Sequence, residues 1–318
     1  MRVPRLSPAA YRQITLVAAI LLAIIIVTGG AVRLTSSGLG CPSWPNCASG
    51  QLTAHAASDS HQWIESLNRM FTGLVSIAVI VAVLGSLVRT PRRRDLTWLS
   101  LGLVAGVFAQ AVLGGLTVLF DLAPPFVMAH FLVSIVLLAD AIVLHWRAGQ
   151  PDGPRRLHAV VSARTVALGR VLLGVVSVVL LTGTVVTGAG PHSGGGKHDD
   201  VRRLDLAIPD VARVHGVMVF IFLVLVLGTL WLVRRDRAPH SVQTWVTILL
   251  VVLLAQAGVG YVQYFSDIPP LLVGIHIAGA TAVFTATLCL YLSMFRLEAP
   301  VPAAESSVSP SEGVLAAT

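Results

Sequence analysis

Eight stretches of this chain are almost wholly apolar: about 14–34, 66–88, 96–119, 126–147, 166–188, 211–233, 242–264 and 271–295. Each is long enough, as a helix of about 20 residues, to cross a hydrocarbon core about 30 Å thick. The pattern predicts an all-α integral membrane protein with eight transmembrane helices. The first stretch is too long for a removed signal peptide and lacks a clear small-residue cleavage site, so it stands as helix one. No arginine- and serine-rich presequence of an organelle-targeted protein precedes it.

The pattern also repeats. AQAVLGGLTVLFDLAPPFVMAH, from Ala109 to His130, returns without a gap as AQAGVGYVQYFSDIPPLLVGIH, from Ala255 to His276. Gln110, Ala111, Gly114, Asp121, Pro124 and His130 recur 146 positions later as Gln256, Ala257, Gly260, Asp267, Pro270 and His276. Weaker matches extend the duplication: VTGGAVRLTSSG from Val27 resembles VTGAGPHSGG from Val186, and Asn68 lies 147 positions before His215. Four spans per half is an even number, so both copies insert the same way up, as tandem parallel repeats rather than an inverted pair. The expected organisation is a four-helix bundle over 1–147, a linker over 148–165, a second four-helix bundle over 166–297, and a disordered tail over 298–318.

Composition agrees with the membrane reading. The chain is 55% hydrophobic and only 12% charged, with a mean hydropathy of +0.82, against about 25% charged residues in an ordinary soluble domain. If the N-terminus is cytoplasmic, 16 of the 22 Lys and Arg residues fall on cytoplasmic segments, as the positive-inside rule requires. Both termini are then cytoplasmic. The formal charge of +7 reflects topology and contact with anionic lipid, and no nucleic-acid partner is expected.

His130, His215 and His276 fall in the first turns of helices 4, 6 and 8, which run in the same direction, so all three sit at one depth near the outer surface. His55, His61, His192 and His198 belong to outer loops, and His145, His158 and His240 to the cytoplasmic side, where a solvated histidine is the ordinary expectation. An intramembrane histidine serves as an interhelical hydrogen bond, a proton relay or a ligand. Histidines facing each other across a four-helix unit suit the two axial positions of a haem iron, and His215 with His276 forms such a pair. Zinc fits less well, because no third or fourth ligand lies at that depth.

The first half departs from the second. Helix 2 carries Asn68 where the repeat would place a histidine, and it adds Glu65, with Asn68 and Arg69 on the same helical face. Glu65 is open to two readings, an acid or base beside a bound tetrapyrrole and an ion pair with Arg69 at the helix start. Cys41 and Cys47 lie in the first outer loop, where a disulfide can persist; such a bridge is a staple or a redox element. Cys289, inside helix 8, reads as a packing residue. Arg33, Arg69, Arg202, Arg203 and Arg213 are candidate partners for propionates.

Together, TGGAVRLTSSGLGCPSWPNC, IESLNR, TGAGPH (Thr187 to His192) and the duplicated Q-A-x-x-G…P-P…H blocks resemble bacterial haem A synthases over roughly 14–295. The resemblance implies a haem b held by His215 and His276, and haem O bound as substrate in the N-terminal half. The C8 methyl of haem O would be oxidised to a formyl group by successive hydroxylations, with water as the oxygen source, for cytochrome oxidase biogenesis. It implies Glu65 as the catalytic carboxylate, Cys41 and Cys47 as the paired loop cysteines, and His130 as the N-terminal haem ligand, with Asn68 and Arg69 nearby. Many relatives carry histidine at the position of Asn68. The implied setting is a bacterial cell membrane, with haem O delivered by haem O synthase, an electron acceptor the sequence does not identify, and a homo-oligomer compatible with it. Two rival readings remain on the residues alone: a non-catalytic b-type cytochrome linked to quinone, and a repeat-built transporter.

Overall fold

The computed structural model describes residues 5–41, 44, 60–153, 156–195 and 201–298. Among them are eight long helices: α1 (Pro8–Leu34), α2 (Ser60–Val88), α3 (Arg94–Leu119), α4 (Pro124–Ala148), α5 (Ala163–Ala189), α6 (Ile208–Arg235), α7 (His240–Phe265) and α8 (Pro270–Ser293). All eight are long and apolar enough to span a membrane, and the chain is a multi-pass membrane protein. Several helices start earlier than the apolar stretches do, α1 at Pro8 and α2 at Ser60, because hydropathy marks only the lipid-solvated part. The starts are chemically set. Ser7 caps α1 by accepting from Ala10 N–H at 3.2 Å, and Ser162 caps α5 by accepting from Thr165 N–H at 3.3 Å, while α4 and α8 begin on prolines and α6 has Pro209 as its second residue, where the missing N–H costs nothing.

The D-x-x-P element of the repeat is a turn with the same backbone in both copies. Asp121 and Leu122 have φ of 50° and 58°, and Asp267 and Ile268 have 56° and 55°. Left-handed backbone is tolerable for aspartate and strained for a β-branched residue such as isoleucine, so the surrounding packing must hold this turn.

Each half closes on itself. In the first, α1 packs on α2, α2 on α3, α3 on α4 and α4 back on α1; α5 to α8 form the same ring. The rings meet where α1 and α4 of one pack against α5 and α8 of the other. At the histidine-bearing end this seam is tied by Arg33, whose Nε donates to His192 O at 2.6 Å and whose Nη2 donates to Thr187 O at 2.8 Å, and by Gly38 N–H donating to Gly194 O at 2.9 Å. At the opposite end Arg89 is buried and donates to Asp152 Oδ1 at 2.8 Å.

Two features differ from the sequence expectation. The segment expected as linker contains strand β1 (Arg156–Ala159), which pairs antiparallel with β2 (Phe295–Glu298), just beyond α8. Four-residue strands are too short for an alternation signal to register. His145 is no solvated surface histidine: its ring shares a 3.1 Å hydrogen bond with Thr15 Oγ1 between α4 and α1. His61, expected in a loop but lying in the first turn of α2, and the loop residue His192 are likewise engaged, at Ser37 Oγ (3.1 Å) and Ile268 O (2.7 Å).

Candidate functional site

His215 and His276 face each other. Their ring centroids are 6.4 Å apart, with the ring planes at 61°. Two imidazoles bound to opposite sides of one metal, with metal–N bonds of about 2 Å and each ring centre about 1.1 Å beyond its nitrogen, stand about 6.3 Å apart. The pair is therefore spaced for bis-imidazole ligation. Among the described residues no three His, Cys, Asp or Glu side chains cluster as a metal site, so the donor set suits a haem iron better than tetrahedral zinc.

Neighbouring helices hold these rings through glycines. A Cβ on Gly260 of α7 would lie 2.8 Å from His276 Cε1 and 3.3 Å from Nδ1, with Nε2 farther off at 4.0 Å. One on Gly183 of α5 would lie 3.2 Å from His215 Cε1, and one on Gly114 of α3 would lie 3.5 Å from His130 Cε1. Cε1 and Nδ1 thus face the neighbouring backbone, and Nε2 is turned away from it. His130 Nδ1 and His276 Nδ1 are buried without a hydrogen-bond partner. His215 Nδ1 lies 3.0 Å from Thr182 Oγ1, and the Thr182 hydroxyl is also 3.0 Å from the carbonyls of Val178 and Val179. With its hydrogen given to a carbonyl, the threonine oxygen accepts from His215 Nδ1–H, which fixes the tautomer with a free lone pair on Nε2.

The recurring glutamines also acquire a role. Gln110 Nε2 donates to His130 O at 3.0 Å, and Gln256 Nε2 donates to His276 O at 2.8 Å. In each half a side chain from α3 or α7 thus grips the backbone turn that carries the histidine, and the duplicated Q-A-x-x-G motif becomes a histidine seat, with glutamine holding the main chain and glycine admitting the ring.

In the first half, Glu65 is only 6% exposed. Its Oε1 accepts from Arg69 Nη2 at 2.6 Å and Nε at 3.1 Å, and its Oε2 accepts from Cys41 N–H at 2.7 Å. Arg69 Nη2 also donates to Cys41 O at 3.2 Å. The ion pair allowed by the i, i+4 spacing is formed, yet it is buried and clamps the first loop to α2. Asn68 Oδ1 accepts from Thr28 Oγ1 of α1 at 3.0 Å. Cys41 is buried; Cys47, like His55 and His198, lies outside the described residues. Cys289 is a free thiol within α8.

Of the candidate arginines, Arg33 is committed to the seam carbonyls, Arg203 Nη2 donates to Pro191 O at 2.9 Å, and Arg213 lies 3.6 Å from Asp210 in an exposed pair. Arg202 borders, with Arg33, Met128 and Gly188, a cleft at the seam. Sequence reasoning missed the roles of Thr28, Thr182 and Gly183, for which the chain carries no local signal. It recorded the recurrence of Gln110, Gly114, Gln256 and Gly260 without assigning them work.

Eight spanning helices in two four-helix rings, with a facing histidine pair in one and a buried Glu–Arg pair in the other, define a polytopic membrane protein. Residues 12–191 match the COX15-CtaA family, described as cytochrome oxidase assembly protein, and the chain belongs to that family. It is 30% identical over 258 residues to a haem A synthase of Listeria welshimeri, covering 77% of this chain and 82% of the relative. It is 28% identical over 265 residues to that of Listeria monocytogenes, with the same coverage. The haem A synthase of Shewanella oneidensis is 28% identical over 196 residues, 57% of this chain and 56% of its own.

Proposed function

We propose that this protein is a haem A synthase of a bacterial cell membrane, an oxidoreductase converting the C8 methyl group of haem O to the formyl group of haem A by successive hydroxylations. Water supplies the oxygen. For the overall change from methyl plus one water to formyl, four electrons and four protons must leave, so the protein needs a path for electrons and a base for protons. His215 and His276 hold haem b, which supplies one-electron transfer when bound. The observation that carries the proposal is the contrast between the halves: a histidine pair at ligation spacing in one, and in the other His130 on α4 with a buried carboxylate, Glu65, on α2. Glu65 has Ala212 as its counterpart 147 positions on, so the second half has no carboxylate at the place that Glu65 takes in the first.

In this reading His130 ligates haem O in the N-terminal bundle, 1–147, and the bundle over 166–297 carries electrons onward to an acceptor. Glu65, held by Arg69 and Cys41 N–H, receives protons from the hydroxylated carbon. A Cys41–Cys47 disulfide closes the loop that Glu65 anchors. The termini are cytoplasmic, which puts the haem-handling layer on the outer side, and haem O arrives from a haem O synthase. The test is conversion of haem O to haem A by the purified protein with an electron acceptor; a protein that binds haem and never converts haem O is the electron-transfer cytochrome instead.

A further inference from the structure

Asn68 stands where the repeat places a haem ligand, and its surroundings repeat too. In the second half a threonine on α5, Thr182, holds His215 of α6; in the first half a threonine on α1, Thr28, holds Asn68 of α2. Counted from the starts of α1 and α5, both 27 residues long, Thr28 and Thr182 fall one position apart, so the two seats agree in depth although the VTG match at the outer ends pairs Thr28 with Thr187. Asn68 is therefore seated like a ligand and has the wrong chemistry to be one. Its amide nitrogen has no available lone pair, and its oxygen is engaged by Thr28, whose shorter contact is the 3.0 Å one to Oδ1 against 3.3 Å to Ile25 O. The NH2 end is left to point elsewhere, with two donors. His61, seven residues earlier on α2, is two turns nearer the helix start and bonded to Ser37 Oγ.

Building on the proposed haem O site, we infer that the substrate iron has one protein ligand, His130, and that its other axial face is open to a small exogenous ligand bearing an acceptor atom, with the Asn68 amide as hydrogen-bond donor to it. The second-half iron, between His215 and His276, offers no such face. The two irons thus differ in kind. An iron with one exchangeable position can take up water or a hydroxide-like ligand beside the carbon to be oxidised, whereas one with two histidines only changes oxidation state.

The test uses the full-length protein in detergent, incubated with haem O, with carbon monoxide as probe of the reduced protein and fluoride as probe of the oxidised one. Carbon monoxide is expected to bind one of the two haems and to leave the low-spin haem untouched. Asn68→His should convert the first-half haem to low spin and abolish carbon monoxide binding. Asn68→Leu should keep carbon monoxide binding and weaken fluoride about five-fold, the equivalent of one hydrogen bond. Persistence of the low-spin haem reports that each variant is folded. A wild-type protein with two haems, both inert to carbon monoxide, overturns the open face, as does undiminished carbon monoxide binding in Asn68→His. Unchanged fluoride affinity in Asn68→Leu overturns the donor role. A protein that takes up no second haem defeats the N-terminal substrate site itself, a failure distinct from the others.

Discussion

Replacing Gly260 with alanine tests whether the seat of His276 is built to the tolerance of a metal ligand. The new Cβ would stand 2.8 Å from Cε1 and 3.3 Å from Nδ1, whereas carbon atoms in comfortable contact are about 3.5–4.0 Å apart. The imidazole must therefore retreat from α7 by about 0.7 Å or more, several times the roughly 0.2 Å by which ligand distances vary in sound sites. Overpacking of this kind costs about 1–3 kcal/mol, which would loosen the haem by about five-fold to 150-fold. Gly258, on the same helix, is the built-in control, since a Cβ there would meet nothing within 4 Å. Optical and electron paramagnetic resonance spectra of the purified variants decide the matter. Gly260→Ala should lose or weaken the low-spin signature while Gly258→Ala keeps it, with size-exclusion profiles confirming that both fold. Wild-type spectra from Gly260→Ala would refute the seat.

Further outcomes follow from the same geometry. His215→Ala or His276→Ala should each abolish the low-spin spectrum of the resident haem, because one strong-field ligand is gone; an unchanged spectrum in both removes the assignment. Thr182→Val, which keeps the volume and removes the acceptor for His215 Nδ1–H, makes the imidazole a poorer donor and should raise the haem b midpoint potential. A ten-fold change in relative affinity for the two oxidation states is about 59 mV for one electron, so a shift of about 30–60 mV in redox titration is expected, with Thr182→Ser near wild type.

Much of the fold was legible because lipid imposes a simple rule. Backbone polar groups must be satisfied within each span, so eight apolar stretches mean eight helices, and the gapless repeat ending at His130 and His276 marks α3–α4 and α7–α8 as copies. Helix starts at Pro8 and Ser60 lay outside that rule, being set by caps and loop packing. The β1–β2 ribbon was invisible because its four-residue strands carry no period. At the site, His215 and His276 were legible as polar residues at one depth in an apolar bundle. Their supports were not: Thr182 and Thr28 look like any helical threonine, and only a fold that brings α5 to α6 and α1 to α2 reveals what they hold. Glu65 was legible as an i, i+4 partner of Arg69, yet its bond to Cys41 N–H depends on where the loop after α1 returns, which spacing along the chain does not encode.

The division of labour between the halves is tested most directly by extracting haems from cells that make haem O and express either the wild-type protein or Glu65→Gln. Glutamine keeps the size of the side chain and an acceptor for Cys41 N–H but gives up the charge paired with Arg69 and the capacity to take a proton. Haem A from the wild type, and haem O or a partly oxidised haem from Glu65→Gln with the low-spin haem b intact, is the expected result. Equal haem A from both proteins would reduce Glu65 to a structural ion pair, and haem O alone from the wild type would contradict the assignment as a haem A synthase.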